Sequence, residues 1–156
     1  MRTISKILVA NRGEIAIRVI RTAREMGIRT VAVFSEADKD SFYVRTADEA
    51  ICLGGNSAAE SYLNQDKIIE AAKRTEADAI HPGYGFLSEN STFAKRCEEE
   101  GIIFIGPPAE VIEKLGSKIR AKEIAIEAGV PIVPGYNGKE QSAARLKYEA
   151  DEIGYP

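Results

Sequence analysis

Only two cysteines, Cys52 and Cys97, and one histidine, His81, occur among the 156 residues. The cysteines have no Cys-x-x-Cys spacing, which argues against a zinc site, and two thiols inside apolar-patterned segments do not make a disulfide framework. They read as core thiols in a reducing compartment. A lone histidine without a cysteine or carboxylate cluster makes no persuasive metal site, so no metal ligand is assigned. No stretch approaches the roughly eighteen apolar residues of a membrane span. The opening Met-Arg-Thr-Ile-Ser-Lys lacks an apolar h-region and a cleavage signal, which points to the cytoplasm. A surplus of one charge is missing too: 21 basic residues are scattered among 24 acidic ones, for a net charge of −3. That balance implies neither a nucleic acid nor a membrane partner.

With 44% hydrophobic and 29% charged residues, the composition is that of an ordinary globular protein. The length suits about one domain and is small for a whole enzyme with two substrates. Short apolar runs alternate with helical patterns. Strands are expected over Lys6 to Ala10, Thr30 to Phe34, Ala50 to Leu53, Asp78 to Ile80 and Ile102 to Ile105, each nearly continuous in apolar character, as strands covered on both faces should be. Helices are expected from Gly13 to Met26, Gln65 to Arg74 with Asn64 as N-cap, and Thr92 to Glu100 closed by Gly101. Repeated strand, helix, strand units with short links require parallel strands and right-handed crossovers. The fold class is therefore α/β, a Rossmann-like open parallel sheet with helices on both faces.

After Gly106-Pro107-Pro108 the alternation gives way to helices alone, over Ala109 to Leu115, Lys118 to Ala128 with Ser117 as N-cap, and Ser142 to Ile153. The last places Ala143, Leu146, Ala150 and Ile153 on a stripe that needs a partner. Residues 1–115 are read as the Rossmann-like domain and 116–156 as a helical linker. The ending Gly154-Tyr155-Pro156 reads as the lead-in to a further strand, and so as a truncated chain.

Four places could carry chemistry. The turn Asn11-Arg12-Gly13 joins the first strand to the first helix, where backbone N–H groups and Arg12 could hold an anion. Alternatively Gly13 only permits the turn while Glu14 complements the helix dipole. The turn has one glycine where a dinucleotide site wants Gly-x-Gly-x-x-Gly, so Glu36, spaced as a ribose-binding acid, is a weak match. The segment His81 to Asn90 follows a strand and lies on the same carboxyl edge, where open α/β sheets bind ligands. Its glycines, Gly83 and Gly85, bring backbone close to a ligand and hold Tyr84 at the rim, while His81 itself reads as a hydrogen-bonded structural residue. Gly116-Ser117-Lys118 has the wrong order for a phosphate loop. Lys118 nevertheless sits in a helix's first turn, against the macrodipole, where a phosphate would relieve the mismatch; a solvated surface lysine is the other reading. Finally, Glu14, Arg18, Arg21 and Glu25 form one charged stripe, with Glu14–Arg18 and Arg21–Glu25 pairs expected, that is either solvated or a two-fold subunit contact.

Val-Ala-Asn-Arg-Gly-Glu-Ile-Ala (9–16), Ala-Asp-Glu-Ala (47–50), Ser-Tyr-Leu (61–63), Ala-Ile-His-Pro-Gly-Tyr-Gly-Phe-Leu-Ser-Glu-Asn (79–90), Phe-Ile-Gly-Pro (104–107) and Gly-Val-Pro (129–131) together resemble the amino-terminal part of biotin carboxylase. The resemblance spans essentially the whole chain. It implies the domain that precedes the ATP-grasp domain of an ATP-dependent ligase, which uses ATP, Mg²⁺ and bicarbonate to form carboxyphosphate and carboxylate N1′ of carrier-bound biotin. It implies nucleotide contact for Lys118, a wall of the biotin and bicarbonate site for Tyr84, Gly85 and, more weakly, Glu89, and a dimer contact for Arg18, Arg21 and Glu25. No catalytic residue falls within the chain, so the fragment alone is expected to be inactive. The implied partners are a biotin carboxyl carrier protein or domain, a carboxyltransferase and a second copy of the complete carboxylase. One departure is that Ser117 stands where the family usually has aspartate; serine also caps, so Lys118 keeps its place. The alternative is a stand-alone nucleotide-binding or signalling module without catalysis. A phospho-receiver is disfavoured because the first strand ends in Ala-Asn-Arg and not in an acidic pair.

Overall fold

The run Ile7-Leu8-Val9 has no polar face, and it forms the middle of a sheet. In the computed structural model, which describes residues 3–155, strand β1 (Lys6–Val9) is paired on both sides. Its neighbours are β2 (Arg29–Phe34) and β4 (Ala79–His81); β3 (Glu49–Cys52) lies outside β2 and β5 (Ile103–Phe104) outside β4. Every pairing is parallel, in the order β3-β2-β1-β4-β5. Leu8 and Val9 are wholly buried and point to opposite faces; each contributes roughly 1.5–3 kcal/mol by burial.

One face packs Leu8, Val31, Val33 and Ile80 against α3 (Gln65–Arg74) and α4 (Ser91–Glu99) through Ile68, Ile69, Phe93 and Cys97. The other packs Ile7, Val9, Ala32 and Ala79 against α1 (Gly13–Glu25) and α2 (Phe42–Thr46) through Ala16, Ile20, Ala23 and Tyr43. The doubly wound α/β class is thus as expected. Helix starts follow their caps: the side chains of Asn64 and Asn90 accept from the N–H groups of Lys67 and Phe93 at 3.1 and 2.8 Å.

Three features depart from the sequence reading. Helix α2 and a single 3₁₀ turn at Glu36–Asp38 interrupt what read as plain connection. The five residues Phe-Tyr-Val-Arg-Thr are too few for a helical period and rich in types with weak helix propensity; burial of Tyr43, 1% exposed, holds them. Strand β3 is not covered on both faces: as an edge strand it leaves Ala50 and Cys52 exposed. Cys52 is therefore no core thiol, whereas Cys97 is, and burial pushes the Cys97 thiol up to about 12.

The chain divides into two compact units, the first ending at Ile112 and the second beginning at Glu113. Helix α5 (Ala109–Leu115) crosses the division. The second unit contains α6 (Lys118–Glu127), capped by Ser117, and α7 (Ala143–Ile153), capped by Ser142. No residue of α6 or α7 is buried, and Leu146 and Ile153 of the expected stripe stand exposed.

Candidate functional site

Strand order reverses between β1 and β4, because the chain leaves β1 toward β2 on one side and returns to β4 on the other. In open α/β sheets the crevice beyond such a point, at the strands' carboxyl ends, is where ligands bind. The two loops that meet there are Asn11–Gly13 and Pro82–Phe86. Asn11 is 1% exposed, and its amide nitrogen donates to the carbonyl oxygens of Pro82 at 2.8 Å and Tyr84 at 2.9 Å. Its carbonyl oxygen accepts from the Arg12 N–H at 2.9 Å, so every polar atom of this buried side chain has a partner. Gly83 closes against it: at φ +65° a Cβ there would stand 2.7 Å from Asn11 Nδ2 and 2.8 Å from Ile15 Cγ2.

Arg12 does not hold its charge free for an anion. Its guanidinium forks onto Asp38, with Nε to Oδ2 at 2.7 Å and a terminal nitrogen to Oδ1 at 2.6 Å. Asp38 also accepts from the Tyr62 hydroxyl at 2.6 Å; that hydroxyl accepts from the Ser35 N–H at 3.0 Å and lies 2.9 Å from the hydroxyl of Tyr43. The Arg12 fork holds the Asp38 carboxyl down at about 2 against the opposing effect of burial. Burial pushes the Tyr43 phenol well up from its ordinary value. Arg12 stands at the N-cap of α1 with no side-chain cap, and Gly13 adopts φ +59°, so the turn is shaped by backbone geometry.

His81 ends β4, and its Nδ1 accepts from the Gly83 N–H at 3.0 Å. Burial lowers its pKa, so it is neutral and structural here. Tyr84 and Gly85 are exposed beside this frame, Tyr84 at 70%. Phe86, at φ +40°, turns its ring onto Tyr62, with centroids 5.2 Å apart and planes 14° from parallel. Glu89 is exposed just before the α4 cap. A groove of about 500 Å³ runs from Tyr84 and His81 along α1 past Arg18 and Arg21 to Met26. Arg18, Arg21 and Glu25 are exposed, and among the described residues neither the Glu14–Arg18 nor the Arg21–Glu25 pair closes as an ion pair. Long exposed side chains gain too little from such pairs to be fixed by them.

Lys118 is exposed at the first position of α6, in the second unit. Glu36 stands exposed on the 3₁₀ turn, 3.3 Å from Cys52 Sγ. Among the described residues no group of three or more His, Cys, Asp or Glu side chains could hold a metal ion. No helix among the described residues is long and apolar enough to cross a membrane. Asp38, Tyr43 and the Tyr62 hydroxyl are the site-forming groups that sequence reasoning missed. Tyr62 lay within Ser-Tyr-Leu, but nothing local signals that a phenol, a carboxylate 24 residues upstream and an arginine 26 residues before that carboxylate will meet.

Comparison with known proteins bears on this arrangement. Residues 3–112 match the family profile of the biotin carboxylase N-terminal domain. The alpha subunit of mitochondrial methylcrotonoyl-CoA carboxylase from Dictyostelium discoideum is 61% identical over 156 residues, which is 100% of this chain and 22% of that protein. Biotin carboxylase 1 of Bacillus subtilis is 55% identical over 153 residues, covering 98% of this chain and 34% of that one. Among solved structures, the biotin carboxylase domain dimer of Hydrogenobacter thermophilus 2-oxoglutarate carboxylase, in complex with MgADP, ADP and bicarbonate, superposes with a TM-score of 0.92 at 51% identity over 100% of this chain and 34% of its own. The biotin carboxylase–β,γ-ATP complex from Campylobacter jejuni gives 0.92 and 51% over 99% of this chain and 34% of its own. The chain thus spans between about a fifth and a third of these relatives' lengths. With the family profile covering the whole parallel sheet and its switch-point loops, the chain belongs to the biotin carboxylase family as its N-terminal domain.

Proposed function

We propose that this domain supplies one wall of the active site of an ATP-dependent biotin carboxylase. In that reaction the γ-phosphoryl of ATP passes to bicarbonate, and the resulting carboxyphosphate gives its carboxyl group to N1′ of biotin on a carrier protein or domain, releasing ADP and phosphate. The observation that carries the reading is the loop Pro82–Phe86, fixed by Asn11 at the switch point of a sheet whose solved relatives include a carboxylase domain bound to bicarbonate and MgADP.

Within that site this chain's residues bind and exclude water. Tyr84 offers a flat apolar ring at the rim, and Gly85 a bare backbone that lets a small planar ligand approach closely. Glu89 lies further along the same wall. Keeping water from an activated carboxyl donor is a task for such surfaces. Lys118, opposed to the α6 dipole, gains from the approach of a nucleotide phosphate. Mg²⁺ would balance the charge of the phosphates. Among the described residues no group of three or more His, Cys, Asp or Glu side chains could hold it.

Residues 1–115 form the N-terminal domain and 116–156 the lead-in to the ATP-grasp domain on this reading. Arg18, Arg21 and Glu25 contribute to contact with a second carboxylase, and a carboxyltransferase takes the product. Cytoplasmic placement rests on the sequence; relatives named mitochondrial carry the same domain in another compartment.

The test compares a full-length protein carrying this domain with residues 1–156 alone. Bicarbonate-dependent ATP hydrolysis and carboxylation of free biotin are expected of the first and not of the second. Carboxylation by residues 1–156, or none by the full-length protein, overturns the reading.

A further inference from the structure

We infer that Asn11 and Tyr62 are positioning residues that fix the Tyr84–Gly85 wall from its two sides, an inference that rests on the wall reading proposed above. Before the wall, the Asn11 amide grips the carbonyls of Pro82 and Tyr84. After it, Phe86 sits at φ +40°, a conformation that residues with side chains seldom adopt and that persists only where surroundings enforce it. Its enforcing neighbour is the Tyr62 ring, stacked 5.2 Å away.

Tyr62 in turn cannot slide. Its hydroxyl is fixed by Asp38 at 2.6 Å, by the Ser35 N–H at 3.0 Å and by the Tyr43 hydroxyl at 2.9 Å, and all four residues are buried. Asp38 is itself clamped by the two-pronged Arg12 guanidinium, and the Arg12 N–H is bound to Asn11 Oδ1. The contacts therefore close into a ring: Asn11, Arg12, Asp38, Tyr62, Phe86, and back along the chain to Tyr84. Between the two pins the Tyr84–Gly85 pair is exposed, and on the far side of the ring so is the Arg12 side chain. Asn11, Asp38 and Tyr62 are buried beneath the wall, so their action is through its shape.

The ring is opened at Tyr62 in the full-length protein. For Tyr62→Leu, amide hydrogen exchange in residues 82–88 is expected to rise at least tenfold while the amides of β1 and β2 stay within twofold of the parent. The KM values for free biotin and bicarbonate should rise fivefold or more, with the KM for ATP changed less than twofold. Phe86→Leu, which loses the stack but leaves the buried polar cluster whole, should reproduce both effects should Tyr62→Leu fail to fold. Unchanged exchange in residues 82–88, or exchange rising equally throughout the sheet, overturns the positioning role. Selective loosening of residues 82–88 without a change in the biotin and bicarbonate KM values overturns the wall reading instead.

Discussion

The side-chain amide of Asn11 and the backbone carbonyl of Tyr84 are 2.9 Å apart, although 73 residues separate them in the chain. That bond and its companion to Pro82 join the β1 and β4 loops directly. Asn11→Ala removes two donors and one acceptor from a buried place, leaving two carbonyls and an N–H to find other partners. Destabilisation of about 2–3 kcal/mol is expected. Hydrogen exchange of β1 and β4 amides in the full-length protein measures it. Asn11→Asp should be worse, since a carboxylate would face two carbonyl oxygens.

Gly83 and Gly85 share a positive φ, +65° and +68°, yet should respond differently to alanine. At Gly85 a Cβ meets nothing within 4 Å, so only the backbone preference is lost, about 1 kcal/mol. At Gly83 the same preference is lost and Asn11 and Ile15 must also move, which raises the cost to roughly 2–4 kcal/mol. Equal melting temperatures for Gly83→Ala and Gly85→Ala would contradict the close approach.

Asp38 has a folded-state pKa of about 2, below its ordinary value of 3.8. A depressed carboxyl pKa contributes stability that is present above the unfolded value and is lost as pH falls toward the folded one. The contribution, on the order of 1–2 kcal/mol, should therefore be complete at pH 5 and decline between about pH 4 and pH 2. Asp38→Asn should flatten that part of the stability profile; an identical acid limb in parent and variant would refute the assignment.

Lys118→Ala in the full-length protein should raise the KM for ATP about tenfold, the order expected when a charge-assisted phosphate contact of about 1.4 kcal/mol is lost. The KM for biotin should stay near the parent value. An unchanged KM for ATP would return Lys118 to the role of a solvated surface lysine.

Charge reversal of the α1 stripe tests the subunit contact. On the proposed contact, the full-length parent should sediment as a dimer and its Arg18→Glu, Arg21→Glu double variant as a monomer at the same concentration; equal sedimentation of the two would contradict the contact. Since both side chains are exposed within the domain, the variant's melting temperature should scarcely change.

What was legible in the sequence was whatever depended on neighbours along the chain. The runs around Leu8, Val31 and Ile80 announced buried strands, and Asn64 and Ser117 announced helix starts, because period and capping act over a few residues. The carboxyl edge shared by the Asn11 and Tyr84 loops was likewise readable from strand–loop–helix order. That Arg12 is engaged by Asp38 was not legible, because Asp38 sits on a 3₁₀ turn without sequence periodicity. Cys52 was misjudged because an apolar-looking run cannot show that its strand will lie at an edge.

The sheet's two borders also bear on how copies of the domain meet one another. The outermost strands are short, four residues in β3 and two in β5, and Glu49 on β3 is held by Lys6 and Arg29. Short, charged borders give an incoming strand little ladder to extend. Backbone pairing from one copy of this domain to the next is thereby disfavoured.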